Sequence, residues 1–482
     1  MKKKLLIILG AGSSIAVGLP SVDLNRLIEG WGTEWARQHG TTDHYKELLK
    51  SAKTYYERGL TQFHPPLNFE KVLGDMIAMA HWMEPPPWGD TLRQAACGAR
   101  LPDLQFRYHQ EQENEIAEAL LATSLLSDEC DIPGGECESI GDPSVAVDPL
   151  PEAEPAVDNG ECGERGKYGA HIELMDEYSY LLEKVARQMR VESQRLNSAN
   201  KPEKDNYRKL LGGLREDFDI GVYNLNYDTV APDALPGAYI GFGESGTFEP
   251  RVVHERKDWD FVYHLHGSVH HSLNRRYGDQ IVWRPSLDGE FFDGPEGTWS
   301  EPRSNGIKIP RTTLVAGGFK LDQLLFEPCQ SFHASLVRHV HAADAILIGG
   351  YGFGDAHINF ALRNRLSLTL NGLLQDRPPV MVLTLAEETT KPMRRRDDLW
   401  ARELGVSLCT GTQGHFVVEP SNPSDPIPTE LAKRGTFEVD AQHRVAVWYG
   451  GFTEAVHRLP GIVRWLDGGT DNVLAAHSAQ DI

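Results

Sequence analysis

Four short motifs, each standing directly after a run of apolar residues, constrain the fold of this chain more than any other feature. Apolar runs of this length predict buried strands, and a motif that follows one is expected to be the loop that leaves the strand. The carboxyl ends of parallel strands share one edge of a sheet, where ligands of open α/β sheets bind. The motifs are GAGSS at 10–14, NLNYD at 224–228, HLHGS at 264–268 and GGYGFGD at 349–355. The sequence therefore predicts a ligand site built from four loops at one sheet edge.

The alternation of strand and helix patterns predicts an α/β fold with a Rossmann-like, mostly parallel sheet and a large helical insertion. We expect a catalytic domain at residues 1–390, with a helical region at about 30–210. Residues 391–482 form a C-terminal extension that is expected to pack on this domain or to serve in assembly. Residues 127–168 are rich in Asp, Glu, Pro and Gly, so they are expected to be a disordered surface insertion, with an acidic interaction loop as the alternative.

The individual elements follow from the spacing of apolar residues. Strands are predicted at 5–9, 218–223, 261–265, 345–348, 380–385 and 444–449. Helices are predicted from about 17–21 through Ile28, from Asn68 as N-cap, and at 45–59, 113–126, 172–196, 329–341 and 357–370.

Charge and cysteine usage exclude several classes of protein. The net charge of −21 argues against direct binding to a nucleic-acid backbone, because proteins that neutralise phosphates are normally basic. The six cysteines include no C-x-x-C pair, so neither a zinc ribbon nor a disulfide framework is expected, and a reducing cytoplasmic location fits best. The chain starts with Lys2-Lys3-Lys4 and an uncharged stretch, a pattern that a signal peptide could also have. We interpret the apolar residues that follow the lysines as the first buried strand. No stretch approaches the ~20 apolar residues of a membrane span.

The first motif has the glycine spacing of a dinucleotide-binding turn. Gly10 and Gly12 would let backbone approach a pyrophosphate at a helix N-terminus, and Ser13 and Ser14 would add hydroxyl donors. The third glycine of the fingerprint is replaced by Ile15, so a tight turn without a ligand is the alternative. A second turn follows at residues 18–20 and could lie over a bound nucleotide.

The other motifs carry side chains suited to chemistry. Asn226 and Asp228 lie two residues apart and would point the same way from an extended chain, although an Asx-type turn is the alternative. His266 could act as a general base, although a buried histidine satisfied by hydrogen bonds is the alternative. His264 and its neighbours lack the carboxylates or cysteines that would complete a metal shell, so no metal is expected. Asp355 is expected to cap the helix that follows it.

Together these motifs resemble the sirtuin family, which carries a G-A-G-x-S loop, a G-I-P turn, an N-x-D segment, an H-G with a catalytic histidine, and a Gly-rich loop. The variant forms N-L-N-Y-D, L-H-G-S and G-Y-G-F-G-D-x-H-I-N resemble the bacterial sirtuin-like domains of anti-phage defence, which hydrolyse NAD. The resemblance covers roughly residues 1–370, apart from the acidic insertion. It departs from deacetylase sirtuins in lacking zinc-ribbon cysteines and in carrying Ser21-Val22-Asp23 after the turn.

The resemblance implies an NAD glycohydrolase, with NAD as substrate. Asp228 would hold the nicotinamide carboxamide, Asn226 would orient the ribose or the attacking water, and His266 would take a proton. The implied NAD-binding residues are Gly10, Ala11, Gly12, Ser13, Ser14, Gly18, Leu19, Pro20, Gly267, Gly350, Tyr351, Phe353 and Asp355.

The same resemblance leaves two other functions open: a protein deacylase, and a non-catalytic sensor of NAD or ADP-ribose. Sirtuin-like defence proteins are regulated by oligomerisation, by a partner such as a HerA-type ATPase or an Argonaute, or by a C-terminal sensor domain. A homo-oligomer is therefore expected. The chain contains no Walker motif, so an ATPase would have to be a separate protein, and a HerA-type ATPase is the leading expectation.

Overall fold

The computed structural model describes most of the α/β core and much of the helical region. The described residues are 2–19, 24–57, 69–83, 170–199, 201–274, 280–293, 312–316, 320–368, 377–385, 399–410, 437–440 and 443–469. The acidic insertion, the predicted helix at 113–126, the predicted cap Asn68 and Pro20 lie outside them.

Within the described ranges, seven strands form one sheet in the order β3-β2-β1-β6-β7-β9-β8, and all neighbours are parallel except β8 and β9. These strands are β1 (Lys3–Leu9), β2 (Phe218–Asn224), β3 (Asp260–His264), β6 (Ala345–Gly349), β7 (Val380–Leu383), β8 (Phe437–Asp440) and β9 (Val445–Trp448). β4 (His271–Leu273) and β5 (Ile281–Trp283) pair separately as a small antiparallel hairpin. The predicted mostly parallel α/β fold is confirmed.

The helices lie between these strands along the chain. They are α1 (Ala11–Ile15), α2 (Leu24–His39), α3 (His44–Glu57), α4 (Phe69–Met83), α5 (Ala170–Ser198), α6 (Pro202–Asp217), α7 (Val230–Ala234), α8 (Pro250–Glu255), α9 (Lys320–Gln323), α10 (Cys329–Ala342), α11 (Ala356–Leu368), α12 (Leu399–Ser407), a 3₁₀ helix (Thr453–Arg458) and α13 (Leu459–Leu466). None of the helices in the described ranges is both long and apolar enough to cross a bilayer.

The central strand β1 is buried on both faces, which explains its unbroken apolar sequence. Leu6 and Ile8 belong to one core cluster, with side chains of α10 and α11, whereas Leu5, Ile7 and Leu9 belong to the other, with side chains of α6 and α13. Alternation of side chains along a strand sends neighbours to opposite faces, so one apolar run serves both layers.

Helices α2 to α5 form a separate helical lobe with its own apolar core. That core also includes Tyr227, Val269, Leu314 and Ala316, which belong to loops or segments beside the carboxyl ends of the strands. The lobe therefore packs over the edge where the four motifs lie.

The structure differs from the sequence prediction in two places. A short helix that the sequence did not predict, α1, begins at Ala11 soon after β1, whereas the helix predicted through Ile28 is observed as α2 (Leu24–His39). Residues 437–469, placed by sequence in the C-terminal extension, supply the last two strands of the main sheet, the 3₁₀ helix and α13. Short strands such as Phe437–Asp440 acquire their identity from pairing with a neighbour, which local sequence does not encode.

Candidate active site

The strand order places the four motifs around the point where the chain changes direction across the sheet. The order runs from β1 outward through β2 to β3, and the chain then returns to the other side of β1 to form β6. The loops after β1 and β6 are therefore neighbours at a topological switch point, where open α/β sheets bind ligands.

The glycines of the first and last motifs are packed against each other. Gly10 N–H donates to Gly349 O at 2.9 Å, and Gly12 N–H donates to Gly350 O at 2.9 Å. A Cβ at Gly10 would lie 2.7 Å from Tyr351 Cα, and one at Gly12 would lie 2.9 Å from Gly350 Cα. Glycine is required at both positions by the contact between these two loops, and the approach of this backbone to a pyrophosphate stays a prediction.

Five residues from the loops after β1 and β2 form a hydrogen-bonded floor, by which we mean Gly10, Ser13, Ser14, Asn226 and Asp228. The Asn226 amide donates to Gly10 O at 3.0 Å, to Ser13 Oγ at 3.2 Å and to Ser14 Oγ at 2.8 Å. The Ser14 hydroxyl also bonds to the Asp228 carboxylate. All four side chains are at least 90% buried. One amide therefore ties the loop after β2 to the loop after β1.

Asp228 combines an Asx turn with a perturbed carboxylate. Its Oδ1 accepts the Val230 N–H at 2.9 Å, which closes the turn that was the alternative interpretation of this motif. Burial raises the pKa of Asp228 above its usual value, and hydrogen bonds to the carboxylate only partly oppose that effect. The turn and a role in holding a ligand are compatible, because the second carboxylate oxygen is not needed for the turn.

A second group of side chains, the charged cluster, contains Glu70, His266, Lys320, Asp355 and His357. Lys320 Nζ lies 2.8 Å from Asp355 Oδ1 and 2.9 Å from Glu70 Oε2. His266 Nε2 lies 3.4 Å from His357 Nε2 and 3.9 Å from Asp355 Oδ1. The side chain of His266 is 3% exposed, against 14% for Asp355, 15% for Lys320 and 28% for Glu70. The histidine is thus the least exposed of these four side chains.

Electrostatics hold His266 neutral. Burial, followed by the Lys320 ammonium, lowers the pKa of His266 to about 3, although Asp355 works in the opposite direction. Burial opposes ionisation of Asp355 itself, but the His266 ring and the Lys320 ammonium outweigh it and hold the pKa of Asp355 at about 2. Burial lowers the pKa of Lys320, whereas Glu70 and Asp355 outweigh burial and raise it. The site therefore combines a neutral imidazole with a charged ammonium and two carboxylates.

The turn that carries His266 is held by the segment 312–316. Val315 N–H donates to His266 O at 2.8 Å, and Gly267 bridges to Leu314. Gly267 has φ +86°, and a Cβ there would overlap the Thr313 carbonyl oxygen. The glycine after the histidine is therefore a requirement of packing and of backbone conformation.

The helical lobe fixes that segment in turn. Tyr178 on α5 donates its hydroxyl to Ala316 O at 3.1 Å, and Gln323 accepts the Ala316 N–H at 3.0 Å. The Arg190 guanidinium of α5 pairs with Asp293, which also accepts the Thr313 hydroxyl at 3.0 Å. Buried polar contacts therefore link the position of the helical lobe to the position of His266.

The last motif sends its aromatic side chains into the core. Tyr351 and Phe353 are 5% and 2% exposed and pack with Trp400, whose indole N–H donates to Tyr351 O at 3.1 Å. The Tyr351 hydroxyl donates to Asn359 Oδ1 at 2.9 Å and accepts the Asp355 N–H at 3.2 Å. These two aromatic residues shape the loop, and any contact they make with a ligand would be through backbone.

Two glycines of the same loop have open surroundings. No atom lies within 4 Å of a Cβ built at Gly352 or Gly354, and both residues are exposed. Asp355 does not cap α11 with its side chain as expected, because its carboxylate pairs with Lys320; its carbonyl instead accepts the N–H groups of Ile358 and Asn359, as in the first turn of any helix. The carboxylate is thus available to the charged cluster.

The second turn after β1 also has a structural basis. Gly18 has φ +80° and its N–H donates to Ile15 O at 2.8 Å, while Leu19 is buried in the core. Ile15, the residue that replaces the third glycine of the fingerprint, is 47% exposed. Ala11, which opens α1, is exposed as well.

The sequence did not predict Glu70, Lys320 or His357 as members of the site. His357 stands two residues after Asp355, and only this spacing pointed to it. Two histidines near this site have local contacts: His264 Nδ1 lies 3.0 Å from Asn226 O, and His270 stacks on Trp283. Across the described part of the chain, no three His, Cys, Asp or Glu side chains converge as a metal-ligand set would.

Comparisons with known proteins bear on the middle of the chain. The family model described as the SIR2-like domain matches residues 221–408, which include the loops after β2, β3 and β6 and Lys320. A solved structure of a triple mutant of a Sir2 homologue in complex with 2'-O-acetyl ADP-ribose is 14% identical, covers 52% of this chain and 77% of its own, and has a TM-score of 0.23. No curated protein matches. The domain match supports a sirtuin-like family.

Proposed function

We propose that this protein hydrolyses NAD to nicotinamide and ADP-ribose. The observation that carries the proposal is the juxtaposition of a buried, neutral His266 with the hydrogen-bonded floor and the open glycine loop at one switch point. The SIR2-like domain match supports the same substrate class. The cysteine spacing in the sequence favours hydrolysis over deacylation, because it offers no zinc ribbon to shape a peptide cleft.

In this proposal the bond from ribose C1' to the nicotinamide nitrogen breaks, the bonding electrons leave with neutral nicotinamide, and water adds to C1'. The proton lost by the water, or by a ribose hydroxyl that relays it, passes to His266 and then to solvent. Asp355, 3.9 Å from the imidazole, stabilises the cation that forms. General-base assistance of this kind is typically worth ~10²–10⁴ in rate.

The substrate would be positioned by the remaining residues of the site. The backbone at Gly352 and Gly354 is open to a phosphate or a ribose. Asp228 would receive the carboxamide, and Asn226 would hold the loop that presents Ser14. The Lys320 ammonium, which already bridges two carboxylates, supplies positive charge beside a pyrophosphate.

The direct test is to incubate purified protein with NAD and to follow nicotinamide and ADP-ribose by chromatography. We expect equal amounts of both products, and a His266→Ala preparation with an unchanged melting temperature should turn over ~10²–10⁴ times more slowly. Binding of NAD without turnover in both proteins would favour the sensor hypothesis. Faster release of nicotinamide with an acylated lysine peptide than with water alone would favour the deacylase hypothesis.

We further propose, on the resemblance of the motifs, that hydrolysis depletes NAD in anti-phage defence and that the protein works as a homo-oligomer with a separate HerA-type ATPase. Light scattering of the purified chain tests the oligomer, and co-purification with a co-expressed ATPase of that type tests the partner. NAD consumption that is identical with and without the ATPase, together with no complex, would contradict the partner proposal.

A further inference from the structure

A line of three histidines leads from the candidate active site toward the surface. His266 Nε2 lies 3.4 Å from His357 Nε2, and the centroids of the two rings are 5.5 Å apart. The ring of His357 in turn lies against that of His333, with centroids 5.3 Å apart and planes inclined by 62°. Exposure rises along this line, from 2% at His266 to 9% at His357, and His333 is half-buried.

Three different elements bring these rings together. His266 belongs to the loop after β3, His357 to the first turn of α11, and His333 to α10, which packs against α11. On α10, Phe332 is buried in the core and Ala334 is exposed, so His333 stands at the border between the buried and the exposed face of the helix. The line therefore runs from the strand ends, past α11, to the outside of the helical layer.

Each ring is chemically able to take up and release a proton. A neutral imidazole carries one N–H donor and one acceptor nitrogen. Burial lowers the pKa of His357 to about 4 and also lowers the pKa of His333, so both rings are neutral near pH 7. The Nε2 atom of His333 is buried, and the described part of the chain gives it no hydrogen-bond partner. An acceptor or donor nitrogen of the outer ring is thus left for a neighbour on the inner side.

The charges around the line favour movement of a proton outward. Lys320 opposes a proton on His266 and on His357, whereas Asp355 favours it at both, and Glu70 pairs with Lys320. Burial is the largest effect at both histidines, and the pKa rises from about 3 at His266 to about 4 at His357. A proton that leaves His266 for His357 therefore moves to the stronger base.

We propose that His357 and His333 form a relay that carries the proton released in NAD hydrolysis from His266 to solvent. This inference rests on the proposed function. His266 is buried and its charged form is disfavoured, so a proton that it accepts has to be passed on before the next turnover. The two further rings supply the positions to which it passes.

The steps of the relay conserve protons and leave each ring neutral. The proton from water or from a ribose hydroxyl arrives at Nδ1 of His266, because Nε2 faces His357. The Nε2–H proton of His266 then passes to Nε2 of His357, the Nδ1–H proton of His357 passes to Nε2 of His333, and His333 releases its Nδ1–H proton to solvent. Each ring now holds its proton on the other nitrogen, and a half rotation of the ring restores the starting form.

The observed distances suit such a relay in the protein without substrate. The 3.4 Å between the two Nε2 atoms is long for a hydrogen bond, but catalytic hydrogen bonds often tighten only when substrate binds. Between His357 and His333 a single bridging water completes the path, as is common between polar groups that do not touch.

The test measures nicotinamide release at fixed pH and ionic strength in a series of imidazole concentrations. Without imidazole, His333→Ala should be about tenfold slower than the unmodified protein, and added imidazole should restore most of the lost rate, because the small base replaces the missing ring. The unmodified protein and His341→Ala should not respond to imidazole. His341→Ala is the matched control, because His341 lies on the same helix and is exposed.

Two results would overturn the relay: an unchanged rate in His333→Ala, or a slower rate that imidazole does not restore, which would mark His333 as merely structural. Melting temperature checks that the variants are folded. If His333→Ala does not fold, His333→Gln replaces it, because an amide fills similar space without carrying a proton.

A second measurement does not depend on turnover. The ¹⁵N chemical shifts of the histidine rings at pH 7, assigned with single-histidine variants, report which nitrogen of each ring holds the proton. We expect the Nε2–H form of His266 and the Nδ1–H form of His357. The Nε2–H form of His357 would reverse the hydrogen bond and overturn the relay. A protein that releases no nicotinamide would contradict the proposed function, and the ¹⁵N shifts would still decide the arrangement of the rings.

Discussion

The hydrogen-bonded floor and the charged cluster are adjacent parts of one site, yet they bury polar groups in different ways. The floor contains one ionisable side chain, Asp228, and satisfies it with a hydroxyl and backbone N–H groups. The cluster contains two histidines, two carboxylates and an ammonium, and satisfies them with one another. Hydrogen bonds of the first kind depend little on pH, whereas interactions of the second kind depend on it strongly.

The two regions also draw on different parts of the chain. The floor comes from the loops after two adjacent strands, β1 and β2. The cluster takes Glu70 from the helical lobe, Lys320 from α9, and its other members from the loops after β3 and β6 and the start of α11. The difference indicates a division of work, in which the floor fixes the shape of the loops and the cluster sets the proton affinity of His266.

The largest effect on stability is expected from a substitution at the centre of the charged cluster. Lys320→Met leaves the carboxylates of Asp355 and Glu70 without their shared cation, so we expect unfolding to become easier by about 2–4 kcal/mol, below the full cost of a wholly buried pair because Glu70 is partly exposed. Urea denaturation measures this loss. Lys50→Met is the control, because the Lys50–Glu47 pair is exposed and should contribute less than about 1 kcal/mol.

The same variant should alter the pH profile of the proposed NAD hydrolysis. Lys320 lowers the pKa of His266, so its removal raises that pKa and the acid limb of activity should move to higher pH. An acid limb at the same pH in both proteins would show that His266 does not control the rate.

The second-largest effect on stability is expected from a substitution in the hydrogen-bonded floor. Asn226→Ala removes the donor that serves Gly10 O and the Ser13 and Ser14 hydroxyls, so we expect a loss of about 2–3 kcal/mol in the free energy of unfolding. The loss should be the same at pH 6 and pH 8. Gln194→Ala is the control, because Gln194 also donates to two oxygens but lies at a half-buried position. If the loss of stability in Asn226→Ala depended strongly on pH, the floor and the charged cluster would not differ in the way proposed.

The third prediction concerns the stability of the protein at acidic pH. Burial lowers the pKa of His357 to about 4, so the unfolded chain takes up a proton near pH 6.5 while the folded protein does not. The stabilising contribution of neutral His357 is therefore present above pH 6.5 and is lost as pH falls toward 4. His357 contributes up to about 1.4 kcal/mol per pH unit to the dependence of the free energy of unfolding on pH. His357→Gln should make stability fall less steeply between pH 6.5 and 4, as followed by urea denaturation in a pH series, and an equal slope would contradict the assignment.

These differences explain what the sequence could predict. Each floor residue stands within a motif directly after a strand, and adjacency of β1 and β2 follows from the rules for parallel sheets. Asn226 and Asp228 were therefore predictable as neighbours of the loop at residues 10–14. The period of apolar residues likewise predicted β6, observed at Ala345–Gly349, and α10, observed at Cys329–Ala342, within one residue of their ends.

The cluster was largely beyond prediction because its contacts join segments remote in sequence. Glu70 and Lys320 are remote in sequence. They meet only because the helical lobe packs on the strand ends. A glutamate in the first turn of a helix usually has a local role at the helix dipole, so nothing local marks this one. The reason for Gly10 and Gly12 was hidden similarly, since it depends on the distant loop at Gly350.

The smallest effect tests the one ionisable group of the floor. Burial raises the pKa of Asp228, so the folded protein holds a proton more tightly than the unfolded chain, and that contribution to stability is lost as pH rises above 3.8. Asp228→Asn removes the buried charge while its amide oxygen can still accept the Val230 N–H. We expect a gain of up to about 1 kcal/mol in the free energy of unfolding at pH 7, together with weaker NAD binding or turnover. Loss of stability with full activity would instead make Asp228 a purely structural turn residue, and the two readouts, denaturation and nicotinamide release, separate these outcomes on the same preparation.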